Sequence, residues 1–413
     1  MTQDLSTPPT TGAEPRTPAT QPPASARRGA AAALCALALG AFAVGTTEVV
    51  IAGLLPGIAD DFGVSLPTAG FLVSGYALGM VVGAPLLTVL GARVPRKRLL
   101  LWLVALFVAA SLLSAVAPGY GVLLAGRVLS ALAGGAYVGI AAVVAAGIVA
   151  PERKASAIAT VFMGLSLANV LGVPGGTALG QALGWRATFW AVTALGLLLL
   201  AALTLLVPRV EHAQGHGLRG ELSVFRRGEV WRALAATAFG WAPFLTVLTY
   251  ISPLLTDVTG FAEHTVPLLL VLIGVGMVIG TPLAGRLADR ALLPTLYGAL
   301  AGVAAVSLLL LAAVHSKPAV IVGFLLFGLV GAAVIPPLQT RVLATAHGAD
   351  QLASAANISA FNIGNAGGPL LAGAALSAGA DYTASLWIAA VLGLVGLSLA
   401  AVRRPRRSLP AGA

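Results

Sequence analysis

The sequence predicts an all-α membrane protein whose twelve transmembrane helices form two six-helix, pseudo-symmetric halves, and three observations carry that prediction. Of 413 residues, 58% are hydrophobic and only 9% charged, against about a quarter charged in soluble domains. The chain divides at its charged and Pro/Gly-rich breaks into twelve apolar runs. The second half repeats the first at an offset of 197 residues.

A membrane-spanning helix needs roughly 20 apolar residues. The runs in order are 30–55, 68–91, 98–117, 121–149, 155–180, 186–207, 232–255, 265–289, 293–314, 318–344, 352–378 and 383–402. The first begins after Arg27 and Arg28, contains Glu48 and is too long for a signal core, so it reads as a retained helix. The 50 Gly and 25 Pro lie largely within the runs, where membrane helices tolerate them. Residues 1–29, rich in Thr, Pro, Ala and Ser, read as a disordered tail. Helical halves are expected at 30–207 and 232–402, joined by a central loop 208–231, with a basic tail at 403–413.

The net charge of +10 follows the topology rather than a nucleic-acid surface. Of the 24 Lys and Arg residues, Arg186 and Lys317 fall on one side and Arg127 lies inside a span; all others fall on the opposite side. That bias predicts an even number of spans with both termini cytoplasmic. The sole cysteine, Cys35, excludes an intrachain disulfide or thiol metal site. All five His residues (His212, His216, His264, His315 and His347) fall in loops or at span ends. With no nucleophile and base pair and no phosphate loop, neither an enzyme, a metal site nor ATP-driven transport is expected.

The repeat lays Leu-Gly-Met-Val-Val-Gly-Ala-Pro-Leu (78–86) over Val-Gly-Met-Val-Ile-Gly-Thr-Pro-Leu (275–283). The same offset pairs Arg93 with Arg290, Gly126 with Gly323 and Trp190 with Trp387, and one residue less pairs Asn169 with Asn365. Parallel six-span repeats are related by an axis along the membrane normal. They predict a cavity between the halves and alternating access.

Four motifs carry a resemblance. The loop after the eighth span reads Gly285-Arg286-Leu287-Ala288-Asp289-Arg290; its first copy, Gly91-Ala92-Arg93-Val94-Pro95-Arg96-Lys97-Arg98, lacks the Asp. The fifth span carries Gly164, Asn169, Gly172, Pro174, Gly175, Gly176 and Gly180, with a kink expected at Pro174 and close helix approach along the glycines. The first span reads Gly45-Thr46-Thr47-Glu48-Val49-Val50-Ile51-Ala52-Gly53-Leu54-Leu55-Pro56, and the fourth Leu124-Ala125-Gly126-Arg127-Val128-Leu129. These resemble the major facilitator superfamily, and more closely its twelve-span drug:proton antiporters of the chloramphenicol-exporter and arabinose-export-like group. The resemblance implies the major facilitator fold, a monomer, a cytoplasmic gating latch at Arg93, Arg96, Lys97, Arg286, Asp289 and Arg290, and an antiporter hinge in the fifth span.

Thirteen of fourteen acidic residues fall in loops, tails or span ends; Glu48 does not. An intramembrane acid is a functional candidate by default. Arg127 is the one basic residue comparably deep, and at 1.5 Å per residue both sit roughly 10 Å below the outer surface. The repeat replaces them by Leu245 and Phe324, which places proton coupling in the first half. Glu48 is expected to gain and lose a proton as its distance from Arg127 and its hydration change; the alternative is a static ion pair.

Between the halves the sequence offers Phe42, Tyr76, Tyr137, Phe162, Trp241, Phe244, Tyr250, Phe327 and Phe361, with Asn169, Gln339, Asn357 and Asn362, as a substrate cavity. Three Asn in the eleventh span, Asn357, Asn362 and Asn365, exceed the needs of packing. The partners expected are a small molecule, protons and the lipid bilayer of the inner membrane. The function expected is proton-coupled efflux of a neutral or amphipathic compound, a phenicol antibiotic foremost. The alternatives are export of a sugar or nucleoside metabolite, and a non-transporting membrane sensor or scaffold.

Overall fold

The computed structural model describes residues 24–208, 222–262, 265–346 and 349–402. The tail readings at 1–23 and 403–413, and most of the central loop, lie outside the described residues. Among the described residues twelve long helical segments follow one another: α1 (Ala24–Val50), α2 (Leu66–Leu90), α3 (Arg96–Ala115), α4 (Tyr120–Gly147), α5 (Lys154–Leu167, continuing through Val173–Leu183), α6 (Trp185–Leu206), α7 (Gly228–Thr249), α8 (Val266–Arg290), α9 (Leu292–Ala313), α10 (Lys317–Ala333, continuing as Ile335–Thr345), α11 (Asp350–Ser377) and α12 (Ala384–Ala401). Among the described residues ten helices are long and apolar enough to cross a membrane, and α7 with its continuation makes an eleventh. The run expected at 232–255 is not one straight helix: α7 ends at Thr249, and Ile251–Val258 continues at 59°. The α11 helix has the length of a span, but Asn357, Asn362 and Asn365 and its serines dilute its hydropathy.

Large apolar side chains cover the outside, Phe71, Trp102, Leu183 and Leu205 among them, as a surface facing lipid tails requires. Inside, the repeat becomes geometry. Helix α1 packs on α5 and α6, α2 on α4, and α3 on α6; the second half repeats this with α7 on α11 and α12, α8 on α10, and α9 on α12. Glycines set the closest crossings. A Cβ on Gly83 would collide with the backbone of Leu132, and one on its repeat mate Gly280 with the backbone of Leu329, itself the mate of Leu132. Small residues let membrane helices approach in this way. Gly280→Val is therefore expected to cost about 1–3 kcal/mol and to lower the unfolding temperature in detergent. Gly298→Val, where a Cβ would meet open space, is the matched control and leaves that temperature nearly unchanged.

The loops 91–95, 148–153 and 291 share one end of the bundle, called here the basic end. There Lys97 donates to the carbonyls of Thr204 (2.8 Å) and Val207 (2.6 Å), and Arg341 donates to Ala400 (2.7 Å). Each closes the carbonyl end of the last helix in its own half, where a helix C-terminus favours cations. At the other end the short helix Leu55–Phe62 is clasped to α6: Arg186 meets Asp61 at 2.6 Å and lies 4.2 Å over the Trp185 ring. The Arg186 hydrogen bond holds the Asp61 carboxyl below the usual carboxylate range.

The halves meet through α5 with α8, α2 with α11, α4 with α11 and α5 with α10. The hydrogen bonds that cross between them among the described residues lie toward the basic end or at mid-height. Ser354 donates to Gly139 and Ser359 to Val81, each at 2.7 Å, and Ser166 meets Thr281 at 3.3 Å.

Candidate functional site

A cavity of about 180 Å³ sits between the halves, immediately beyond these crossing contacts. Seen along α11, Ser354 and Ser359 are spent on the seal, while Phe361, Asn362 and Asn365, one turn further, line the space. The first half contributes Glu48, Val49, Met80, Phe162, Ser166 and Asn169, and the second Trp241, Phe244, Leu248 and Met277. The volume is below the roughly 300–1,000 Å³ of a drug-sized site, so a ligand of that size requires the halves to part.

Of the residues anticipated for the cavity, Phe162, Asn169, Trp241, Phe244, Phe361 and Asn362 line it. Phe42, Tyr76, Tyr137, Tyr250, Phe327, Gln339 and Asn357 do not, and most have other partners. Tyr137 fills the hole left by Gly40 and donates to Leu37 at 3.1 Å. Tyr250 donates to Pro369 at 3.2 Å. Phe327 stacks behind Phe244, with ring centroids 5.8 Å apart. Asn357 and Gln339 are buried in a chain that runs from Asn357 Nδ2 to Gln339 Oε1 (2.6 Å), from Gln339 Nε2 to Ser354 (2.5 Å), and on to Gly139. That chain belongs to the seal, not to the wall.

Glu48 is the one acidic residue on the wall. Arg127 comes to the same turn of α1 from behind. It is fully buried, donates to the carbonyls of Thr47 (2.5 Å) and Glu48 (3.4 Å), and lies 4.2 Å from the Tyr76 ring centroid. Tyr76 in turn donates to Val44 at 3.4 Å. Those carbonyls precede the 3-10 turn Ile51–Gly53 that ends α1, and acceptors near a helix end have capacity to spare. The two charges are thus neighbours, but the guanidinium bonds the main chain rather than the carboxylate. The static carboxylate–guanidinium pair weighed from sequence is not formed here.

In α5 the glycines of the antiporter motif face α1. A Cβ on Gly164 would meet Ala38 and Phe42, on Gly172 Thr46, on Gly176 Val50, and on Gly180 Leu54; Gly175 faces open space. The kink expected at Pro174 takes the form of a π turn at Ala168–Gly172 just before it, which absorbs the hydrogen bond proline cannot give. Asn169 sits in that turn and donates to Leu165 at 3.0 Å.

The anticipated latch residues divide by partner. Asp289 crosses to the other half, its carboxylate accepting from the main-chain N–H groups of Ala155 (2.7 Å) and Ser156 (3.1 Å) at the N-terminus of α5. Arg93, Arg286 and Arg290 are exposed at the basic end, Arg96 is half-buried, and Lys97 binds within its own half. The arginines expected around Asp289 are therefore replaced by a helix terminus, a natural site for an anion. Of the three eleventh-span asparagines that exceed the needs of packing, Asn362 and Asn365 line the cavity and Asn357 does not; the repeat pairing of Asn365 with Asn169 is the signal for its place on the wall.

A family model described as Major Facilitator Superfamily matches residues 37–359. Over 377 residues the chain is 42% identical to the inner membrane transport protein YdhP of Escherichia coli (strain K12), covering 91% of this chain and 96% of that one. It is 36% identical over 370 residues to a chloramphenicol resistance protein of Streptomyces lividans, covering 88% and 94%. Among solved structures, the proton:xylose symporter XylE bound to 6-bromo-6-deoxy-D-glucose superposes with a TM-score of 0.74 at 17% identity, over 90% of this chain and 95% of that one. Family model, relatives and fold agree: this chain is a multi-pass membrane transporter and belongs to the Major Facilitator Superfamily.

Proposed function

We propose that the protein is a proton-coupled antiporter of the cell inner membrane that exports a neutral or amphipathic small molecule by alternating access, with a phenicol antibiotic as the foremost substrate. The observation that carries this reading is a single carboxylate, Glu48, on a wall that is otherwise uncharged and mainly apolar and aromatic. A half-buried intramembrane acid without a bonded counter-ion is easily held neutral or ionised by small changes in hydration, which is what a proton carrier requires. Arg127, fixed behind it with its Nε still unpaired, keeps positive charge near the site. We assign the basic end to the cytoplasm by the positive-inside rule, so the present state is sealed toward the cytoplasm. Substrate and proton compete for Glu48, and rocking of the halves about the central cavity, which breaks the seal, exchanges access.

The wall also bears on the metabolite alternative. Its polar groups each make one bond inside the protein: Asn169 and Asn362 donate to their own helices, Asn365 accepts from Trp241, and Ser166 meets Thr281. The surface around them is dominated by Trp241, Phe244, Phe361 and Phe162, which suit an aromatic or amphipathic ligand. The name of the Streptomyces lividans relative supports the same choice. The test is a susceptibility panel in a host lacking its own exporters, with and without a protonophore. Expression is expected to raise the inhibitory concentration of chloramphenicol several-fold, and the protonophore to cancel the gain. Unchanged susceptibility to every compound would overturn the efflux reading.

A further inference from the structure

Four aromatic rings of the cavity region are joined edge to face and face to face. Trp241 and Phe244 stack 4.8 Å apart at 19°, Phe361 meets Trp241 edge-on at 5.8 Å and 85°, and Phe162 of the first half tilts against Phe361 at 6.1 Å. Trp241 differs from the others in having a polar edge, and a buried indole N–H needs an acceptor. That acceptor is the Asn365 Oδ1, at 2.5 Å. The bond joins α7 to α11, and both residues line the cavity.

The repeat supplies an internal comparison. Asn169, the mate of Asn365, has no indole to bond: at the 196-residue offset that pairs the two asparagines Gly45 stands where Trp241 does, and the Asn169 amide turns back to Leu165 in its own helix. The asparagine is present in both halves; the indole that uses it as an acceptor is present in one. Packing alone fixes the plane of a phenyl ring, but an indole in an apolar pocket has two faces and a donor edge that must point somewhere. The hydrogen bond selects one arrangement.

We propose that Asn365 is a positioning residue that sets substrate specificity by locking the Trp241 ring, so that the second half presents a rigid aromatic wall selecting ligands with a flat ring. The proposal rests on the reading of this cavity as the substrate site. Two measurements test it, one of which needs no substrate. In protein labelled with 5-fluorotryptophan, the Trp241 signal among the six tryptophans is assigned by Trp241→Phe. It is expected to be a single sharp 19F resonance that shifts and broadens or splits in Asn365→Ala. In proteoliposomes, Asn365→Ala is expected to raise the apparent KM for chloramphenicol about five- to tenfold, the range of one lost hydrogen bond, with the maximal rate within about twofold. In a Trp241→Phe background, which lacks the donor, the same substitution is expected to add nothing, because coupled residues are not additive. An unchanged resonance in Asn365→Ala, or additive KM effects in the cycle, overturns the assignment. If the unmodified protein does not transport chloramphenicol, the phenicol reading falls, and the fluorine signal alone decides whether Asn365 holds the ring.

Discussion

Glu48→Gln is expected to abolish uphill export in proteoliposomes carrying an imposed pH gradient, while the protein still inserts and folds and binds substrate with the reduced affinity of the protonated native chain. The side chain is nearly isosteric and stays polar, so the wall at α1 keeps its shape. What it loses is the capacity to release a proton. If substrate and proton compete for this carboxylate, linkage requires each to weaken the other's binding by the same factor. Substrate affinity of the native protein should therefore rise with pH across the titration of Glu48, and detergent-solubilised protein should release protons when substrate is added. In Glu48→Gln affinity becomes flat with pH at the weak value the native chain shows on the acid side, and the proton release disappears. Substrate exchange down no gradient continues, because a permanently neutral carrier can still rock. The expected loss of gradient-driven export is more than tenfold. The nearest charge argues for the same outcome. Arg127 bonds the carbonyls of Thr47 and Glu48 rather than the carboxylate, so removing the carboxylate's charge breaks no ion pair and should cost little stability. Retained uphill export in Glu48→Gln would remove the carboxylate from the coupling mechanism.

The fold was legible because the features that build it leave marks along the chain. Hydropathy marks the spans, and the glycines that set helix crossings recur with their partners: Gly83 against Leu132 and Gly280 against Leu329. The bend after α7 has a mark that hydropathy does not weigh: Pro253 has no N–H to give and its ring crowds the carbonyl of Thr249, the residue at which α7 ends. The cavity was half legible for another reason. A span is apolar around most of its circumference, so sequence shows which residues lie at a given depth but not which face they take. Tyr76 and Tyr137 were candidates by depth, yet one covers Arg127 and the other fills the notch at Gly40. Gln339 and Asn357 were candidates for the cavity wall by depth and polarity, but they bond to each other in the seal. The acceptor and donor partners of Lys97 and Asp289 are main-chain groups, which any residue supplies and no motif records.

The second large effect is expected at Asp289. Its carboxylate spans the interface to two N–H groups in the first turn of α5, where hydrogen bonds are charge-assisted and the helix dipole adds attraction. Ala92 occupies the repeat position of Asp289, so the repeat supplies no second carboxylate there. The tie therefore rests on one side chain, and it exists only while the basic end is closed. A contact present in one state and absent in the other shifts the equilibrium by its full worth. At about 1.5–3 kcal/mol for charged hydrogen bonds, Asp289→Ala should move the closed-to-open ratio by about ten- to a hundredfold. The measurement uses spin labels at exposed Arg98 and Arg290 after replacing the sole cysteine by Cys35→Ser. The native chain should give mainly the short distance, and Asp289→Ala a dominant longer one. Thermal stability should change much less, because both states keep each half intact: the packing of α1 on α5 and of α8 on α10 lies within the halves. A distance distribution unchanged by Asp289→Ala would mean that the serine contacts at Gly139 and Val81, with the buried amides behind them, hold the basic end closed without the carboxylate.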